Sequence, residues 1–83
     1  MTTKHEYHGQ KYWVTIMVQS HPIYNDIAYT AYVSEKEPDE EYNGNLVKDE
    51  FGLPLFFDDI RSAIDHATDF QQMKIYRRVT GGI

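Results

Sequence analysis

The chain has 83 residues, no cysteine, and thirteen acidic against eight basic side chains, for a formal charge of −5. That length allows one small domain, which buries only about 60–65% of the surface its unfolded chain exposes; 41% hydrophobic and 14% aromatic residues suffice for one packed core, and the lack of cysteine excludes a disulfide framework or a thiolate metal site. Between Asp26 and Asp69 twelve acids face Lys36, Lys48 and Arg61, a balance of −9, whereas Lys74, Arg77 and Arg78 make the segment after it +3; phosphate backbones repel such a domain on average, which disfavours DNA or RNA as partner.

Residues 1–10 show no period, and a flexible N-terminal arm is expected there, joined to the domain at Gly9. They hold no apolar h-region, and no apolar run approaches the roughly 18 residues needed to span a bilayer, so a soluble cytoplasmic protein without membrane association is expected. From Lys11 to Gln19, Tyr12, Val14, Ile16 and Val18 alternate with Trp13, Thr15, Met17 and Gln19, the pattern of a strand. Ser20 to Asn25 carries a proline and turn formers and predicts a wide loop into a second, antiparallel strand over about Ile27–Ser34. Glu35 to Glu41 holds five acids, one lysine and Pro38 and predicts a solvated loop. Tyr42-Asn43-Gly44-Asn45 suits a tight turn, Leu46 to Lys48 a short strand, and Leu55 to Phe57 a brief one that Pro54 confines to an edge or a strand start.

A helix is predicted from Asp58, the expected N-cap, with Asp59 favourable to the dipole. Ile60, Ala63, Ile64, Ala67, Phe70 and Gln71 share one side, the expected core face, against Val14, Ile16, Val18, Ile27, Tyr29 and Val33 of the strands. Asp58, Ser62, Asp65 and Asp69 share the opposite side. Alternation in Lys74 to Val79 predicts a last strand. The whole is an α+β domain over residues 11–80, an antiparallel sheet of three to four strands with one helix packed on one face (β-β-(β)-α-β), followed by a tail over 81–83.

Two surfaces are candidates for function. The sheet face away from the helix would carry Trp13, Met17, Tyr32, Tyr76 and Arg78, too aromatic for idle exposure, and is expected to bind a partner or a second copy in a homodimer. The acidic stripe of Asp58, Asp65 and Asp69, with Glu37, Asp39, Glu40 and Glu41 of the loop, is expected to meet a protein partner with a basic surface. The function expected is that of a small non-catalytic protein-binding module, in its sharper form an inhibitor occupying a basic, nucleic-acid-binding groove of its target. In size and charge the chain is similar to small acidic inhibitors from phages and mobile elements, including anti-CRISPR and anti-restriction proteins. That likeness is one of character, carried by no motif, and assigns no family. The alternative is a single-stranded nucleic-acid module stacking bases around Trp13, since the outer face resembles an RRM-type platform, although without an RNP-type motif.

No nucleophile paired with a base, no paired-carboxylate motif and no phosphate-cradling glycine loop appears; Asp58-Asp59 reads as a cap and Asp65-His66 as a solvated helix face. Neither enzyme activity nor a cofactor is expected. His5 and His8 bracket Glu6 and could form a metal site with His21 or His66, but no helical His-x-x-x-His fixes the ligands, and no metal is expected. Gly81-Gly82 matches the di-glycine end of ubiquitin-like proteins in those two residues alone, and the further strands those proteins carry after their helix are not predicted here.

Overall fold

Two runs of β-branched and aromatic residues build the centre of the sheet. In the computed structural model, which describes residues 1–24 and 26–81, these runs form β2 (Gln10–Ser20) and β3 (Ile27–Ser34), antiparallel with Val14 opposite Val33 and Ile16 opposite Ala31. β1 (Thr2–Tyr7) pairs with the other edge of β2, the two-residue β4 (Asn45–Leu46) pairs with β3, and the helix α1 (Ile60–Val79) follows. The sheet runs β1-β2-β3-β4 in chain order and is antiparallel throughout, with α1 packed across β2 and β3 on one face. This is the α+β class expected from the sequence. Asn25 of the β2–β3 loop, and Gly82 and Ile83 of the expected tail, lie outside the described residues.

Residues 1–10 do not form the expected arm. Tyr7 pairs with Gln10, and the residues between them, His8 and Gly9, have φ of 51° and 75°, as in a type I′ turn, whose twist suits paired strands. Met1 exchanges main-chain hydrogen bonds with Ile16 at 2.7 and 3.2 Å, so pairing extends to the first residue. The side chains of β1 bury little: Thr3, His5 and Tyr7 are half-buried and the alternate residues exposed. Backbone pairing, which leaves no hydrophobic period to read, holds this strand.

The helix starts one residue later than expected and ends much later. Asp59, not Asp58, is the N-cap: its backbone is extended (φ −143°, ψ 162°) and its Oδ1 accepts from the Ser62 N–H at 2.7 Å. Lys74 to Val79 is not a strand but the last turns of α1. Six alternating residues fit a period of two, but Ile75 falls one turn beyond Gln71, and continuing the helix buries it. No glycine or proline interrupts residues 60–79, and Arg77 and Arg78 in the last turn favour the dipole. The helix stops where the Thr80 N–H reaches the Tyr76 carbonyl and Gly81 turns to φ 75°.

Ala63, Ala67, Gln71 and Ile75 are the buried positions of α1, and the three apolar ones join Tyr12, Val14, Ile16, Ala31, Val33 and Val47 in the core. Of the expected core face, Ala63, Ala67 and Gln71 are buried and Ile64 packs half-buried against the core, while Ile60 and Phe70 are not part of it. Phe70 is left on its flank, 47% exposed, and Ile60 lies exposed at the helix start. Val18 and Ile27 are also outside the core, at 65% and 71% exposure, because the β2–β3 hairpin runs past the start of α1. The brief strand expected at Leu55 to Phe57 reduces to isolated bridges, Tyr29 with Phe57 and Lys48 with Pro54.

Gly44 joins the acidic loop to β4 with φ 106°, and a Cβ there would lie 2.5 Å from the Val33 carbonyl oxygen. Gly52 also has positive φ, 82°, but open space around it. Gly44→Ala should therefore cost about 2–3 kcal/mol, strain and collision together, while Gly52→Ala costs about 1 kcal/mol. Denaturant unfolding of the two variants checks the order; equal losses would mean that the Val33 contact relaxes freely.

Candidate interaction surfaces

Alternate residues of every strand point away from α1. Trp13, Thr15 and Met17 of β2 stand beside Thr30, Tyr32 and Ser34 of β3, with Thr2, Lys4 and Glu6 of β1 on one side and Leu46 of β4 on the other. Among the described residues no helix covers this face. Its centre is tight nonetheless: Thr15 and Thr30 are buried by their neighbours, the Thr2 and Thr15 hydroxyls lie 3.1 Å apart, and the Gln19 amide donates to Thr30 Oγ1 at 3.0 Å. Trp13 and Tyr32 are half-buried, Met17 is exposed, and Lys4 Nζ sits 5.6 Å from the Trp13 ring centre, within cation–π range.

Of the residues expected on this face, Trp13, Met17 and Tyr32 are there. Tyr76 and Arg78 are not, because the segment that carries them is helical and lies across the sheet. Arg78 instead fastens the fold. Its guanidinium donates to Gln10 Oε1 at 3.1 Å and to the Glu35 carboxylate, to which Gln71 Nε2 also donates at 3.2 Å. Gln72 Nε2 reaches the Tyr12 hydroxyl at 3.1 Å. These polar contacts between distant residues tie the second half of α1 to β2 and to the end of β3; no local sequence signal announces them.

The acidic residues fall on two separate surfaces. Asp65 and Asp69 are exposed on the outward side of α1, Asp65 with Arg61 Nε at 3.7 Å, while the Asp69 side chain makes no hydrogen bond or ion pair among the described residues. Asp58 lies exposed just before the cap. Asp69 stands in mid-helix, so only the like-charge spacing to Asp65 opposes it and the dipole does not. Glu37, Asp39, Glu40 and Glu41 are exposed in the loop after β3, where Asp39 Oδ1 accepts from the Glu41 and Tyr42 N–H groups, each at 2.9 Å. That loop leaves the sheet beside Glu35, which is bonded to the second half of α1, whereas Asp58 precedes the first turn.

The outward side of α1 is also more apolar than the sequence suggests. Met73 and Tyr76 follow Asp69 at helical spacing and are 55% and 48% exposed. His66, Asp69, Phe70 and Met73 line an open recess of about 320 Å³. Phe70 was expected inside; the spacing of Ala63, Ala67 and Gln71 is the signal that would have put it outside.

The histidines are dispersed. His5 stacks on Tyr12 with ring centres 5.1 Å apart and bonds Thr3 Oγ1, His8 sits in the β1–β2 turn, His21 packs on Tyr24 and Phe56, and His66 on Phe57. Among the described residues no three His, Cys, Asp or Glu side chains gather closely enough to hold a metal, and no helix is long and apolar enough to cross a membrane. No protein-family model, curated protein or solved structure matches the chain.

The Arg78 guanidinium beside Glu35 holds its carboxyl below the ordinary 4.5, against partial desolvation and with smaller help from Gln71 and Lys74. A carboxyl depressed in the folded state stabilises above its unfolded pKa, and that stability is lost as pH falls through the folded value. Both side chains of the pair are about half exposed (46% and 53%), so salt weakens it. Glu35→Gln should unfold more easily than the wild type at pH 7, and the gap should close as pH falls below 4.5 through the lowered folded-state value. Urea unfolding across this range measures it; a constant gap would show that Glu35 acts by packing alone.

Proposed function

We propose that this chain is an acidic, non-catalytic protein-interaction domain whose partner has a basic surface. The supporting observation is the outward side of α1, where Asp65 and Asp69 stand among the exposed Phe70, Met73 and Tyr76. Carboxylates speed encounter with a basic partner, and apolar side chains beside them supply the buried anchors that affinity requires. A groove that otherwise holds a nucleic-acid backbone offers that basic surface, which makes an inhibitor of a nucleic-acid-binding protein the sharper form of the proposal.

Capture of partners from lysate on the immobilised chain, followed by binding kinetics with the protein recovered, tests the reading. Asp65→Asn with Asp69→Asn removes one like-charge pair and one exposed ion pair, so unfolding free energy should stay within about 0.5 kcal/mol of wild type. Association should slow about tenfold and lose salt dependence. Unchanged affinity and salt response would leave these carboxylates as a solvated helix face.

A second reading rests on charge separation. Trp13 lies on the opposite side of the sheet from the acidic helix, with Lys4 and Lys11 as neighbours across and along the strand pair, so a single strand could stack there away from the carboxylates. Oligonucleotide DNA and RNA should then quench Trp13 fluorescence at low salt, with the effect fading as salt rises. Unchanged emission at low salt removes this reading.

A further inference from the structure

The outer edge of β1 is an unused half of a β-ladder, and we propose that it pairs antiparallel with the β1 edge of a second copy, Lys4 opposite the partner's Glu6, joining two sheets into one of eight strands. The phase of the ladder fixes which groups are free. Met1 exchanges hydrogen bonds with Ile16, and Tyr7 and Gln10 flank a two-residue turn, so Met1, Thr3, His5 and Tyr7 bond inward to β2. In an antiparallel pair the intervening residues, Thr2, Lys4 and Glu6, then direct their N–H and C=O groups to the open side. Among the described residues no strand lies beyond β1 in the sheet, and an edge of this kind is a template for another strand.

Charge selects the register. A two-fold axis through Lys4 would set Lys4 against Lys4 of the partner subunit, and an axis through Glu6 would set two glutamates together; like charges directly opposite destabilise an antiparallel pair. An axis at His5 places each Lys4 opposite the other copy's Glu6, giving two ion pairs and four main-chain hydrogen bonds, with Thr3 opposite Tyr7 on the helix side. Lys4 and Glu6 are both exposed, and Glu6 makes no ion pair within the chain among the described residues. His5 does not obstruct the axis, since its ring lies back on Tyr12 and bonds Thr3 Oγ1 at 2.7 Å. The joined sheet would bring two Trp13 faces side by side, three strand spacings or about 14 Å apart. A single edge buries little area, so the dimer belongs at micromolar strength or weaker. This inference does not depend on the acidic face of α1.

Sedimentation equilibrium of the full chain from about 10 μM to about 1 mM spans that strength. Wild type should associate to a dimer. Lys4→Glu and Glu6→Lys each create two like-charge pairs and should weaken association about tenfold. A mixture of these two variants restores both opposite-charge pairs and should dimerise as a heterodimer, as should the double swap Lys4→Glu with Glu6→Lys as a homodimer. Circular dichroism confirms that each variant is folded. A wild type monomeric at about 1 mM overturns the proposal. So does a dimer indifferent to the swaps, which would join the chains through the Trp13 face instead.

Discussion

One helix covers one face of the sheet, and the register in which it does so sets the rest of the surface. Ala63 and Ala67 let α1 approach Val14, Ile16, Ala31 and Val33 closely, and Ile75 extends the contact by two turns. Because the buried stripe returns every fourth residue, the neighbouring positions rotate outward in sequence. Phe70 comes to the flank, Asp65, Asp69, Met73 and Tyr76 to the solvent side, and Arg78 back towards the sheet. Both candidate surfaces are consequences: the acidic one is what the stripe turns away, and the Trp13 face is what a single helix cannot reach.

The same register changes the meaning of the charge distribution. Along the chain an acidic middle precedes a basic end, which reads as two patches of opposite sign. In the fold the basic end is partly spent. Arg78 is bound to Glu35 and Gln10, and Lys74 Nζ lies 5.6 Å from the Phe70 ring centre. Glu35, the acid nearest the end of β3, is neutralised by the same contact. The remaining carboxylates of the loop and of α1 stay exposed, on two separate surfaces, while Lys74 and Arg77 remain exposed near the end of the helix.

Legibility in the sequence followed the size of the hydrophobic signal. β2 and β3 were readable because Tyr12, Val14 and Ile16 alternate with Trp13, Thr15 and Met17, and Ala31 and Val33 with Thr30 and Tyr32, in runs of β-branched and aromatic residues, and the helix because alanines and isoleucines recur at its period. β1 was not, since only Thr3, His5 and Tyr7 of Thr2 to Tyr7 are half-buried and only Tyr7 of these is a large apolar side chain; the available clue was the pair His8-Gly9, a residue tolerant of left-handed backbone before a glycine. Lys74 to Val79 misled because short alternation fits strand and helix alike, and only the burial of Ile75 beside the sheet decides between them. Asp58 and Asp59 are chemically equivalent caps, and geometry chose the second. The polar fastening of Glu35, Gln71 and Arg78 joins residues far apart in the chain, and nothing local encodes it.

The strand order has a kinetic consequence. Each strand pairs with its neighbour in the chain, through connections of two, six and ten residues, so the loop-closure entropy spent before pairing is rewarded is modest. The β1–β2 turn is already shaped for a hairpin, which forms in about 1–10 μs in isolated systems. Such a sheet remains marginal until α1 docks, because α1 packs across its inner face and brings Ala63, Ala67 and Ile75 onto Tyr12, Val14, Ile16, Ala31 and Val33. Docking of the helix is therefore the step that buries the core. An intermediate lacking that docking would present a β-branched apolar sheet between two open edges, the form in which this small acidic protein is most exposed to aggregation.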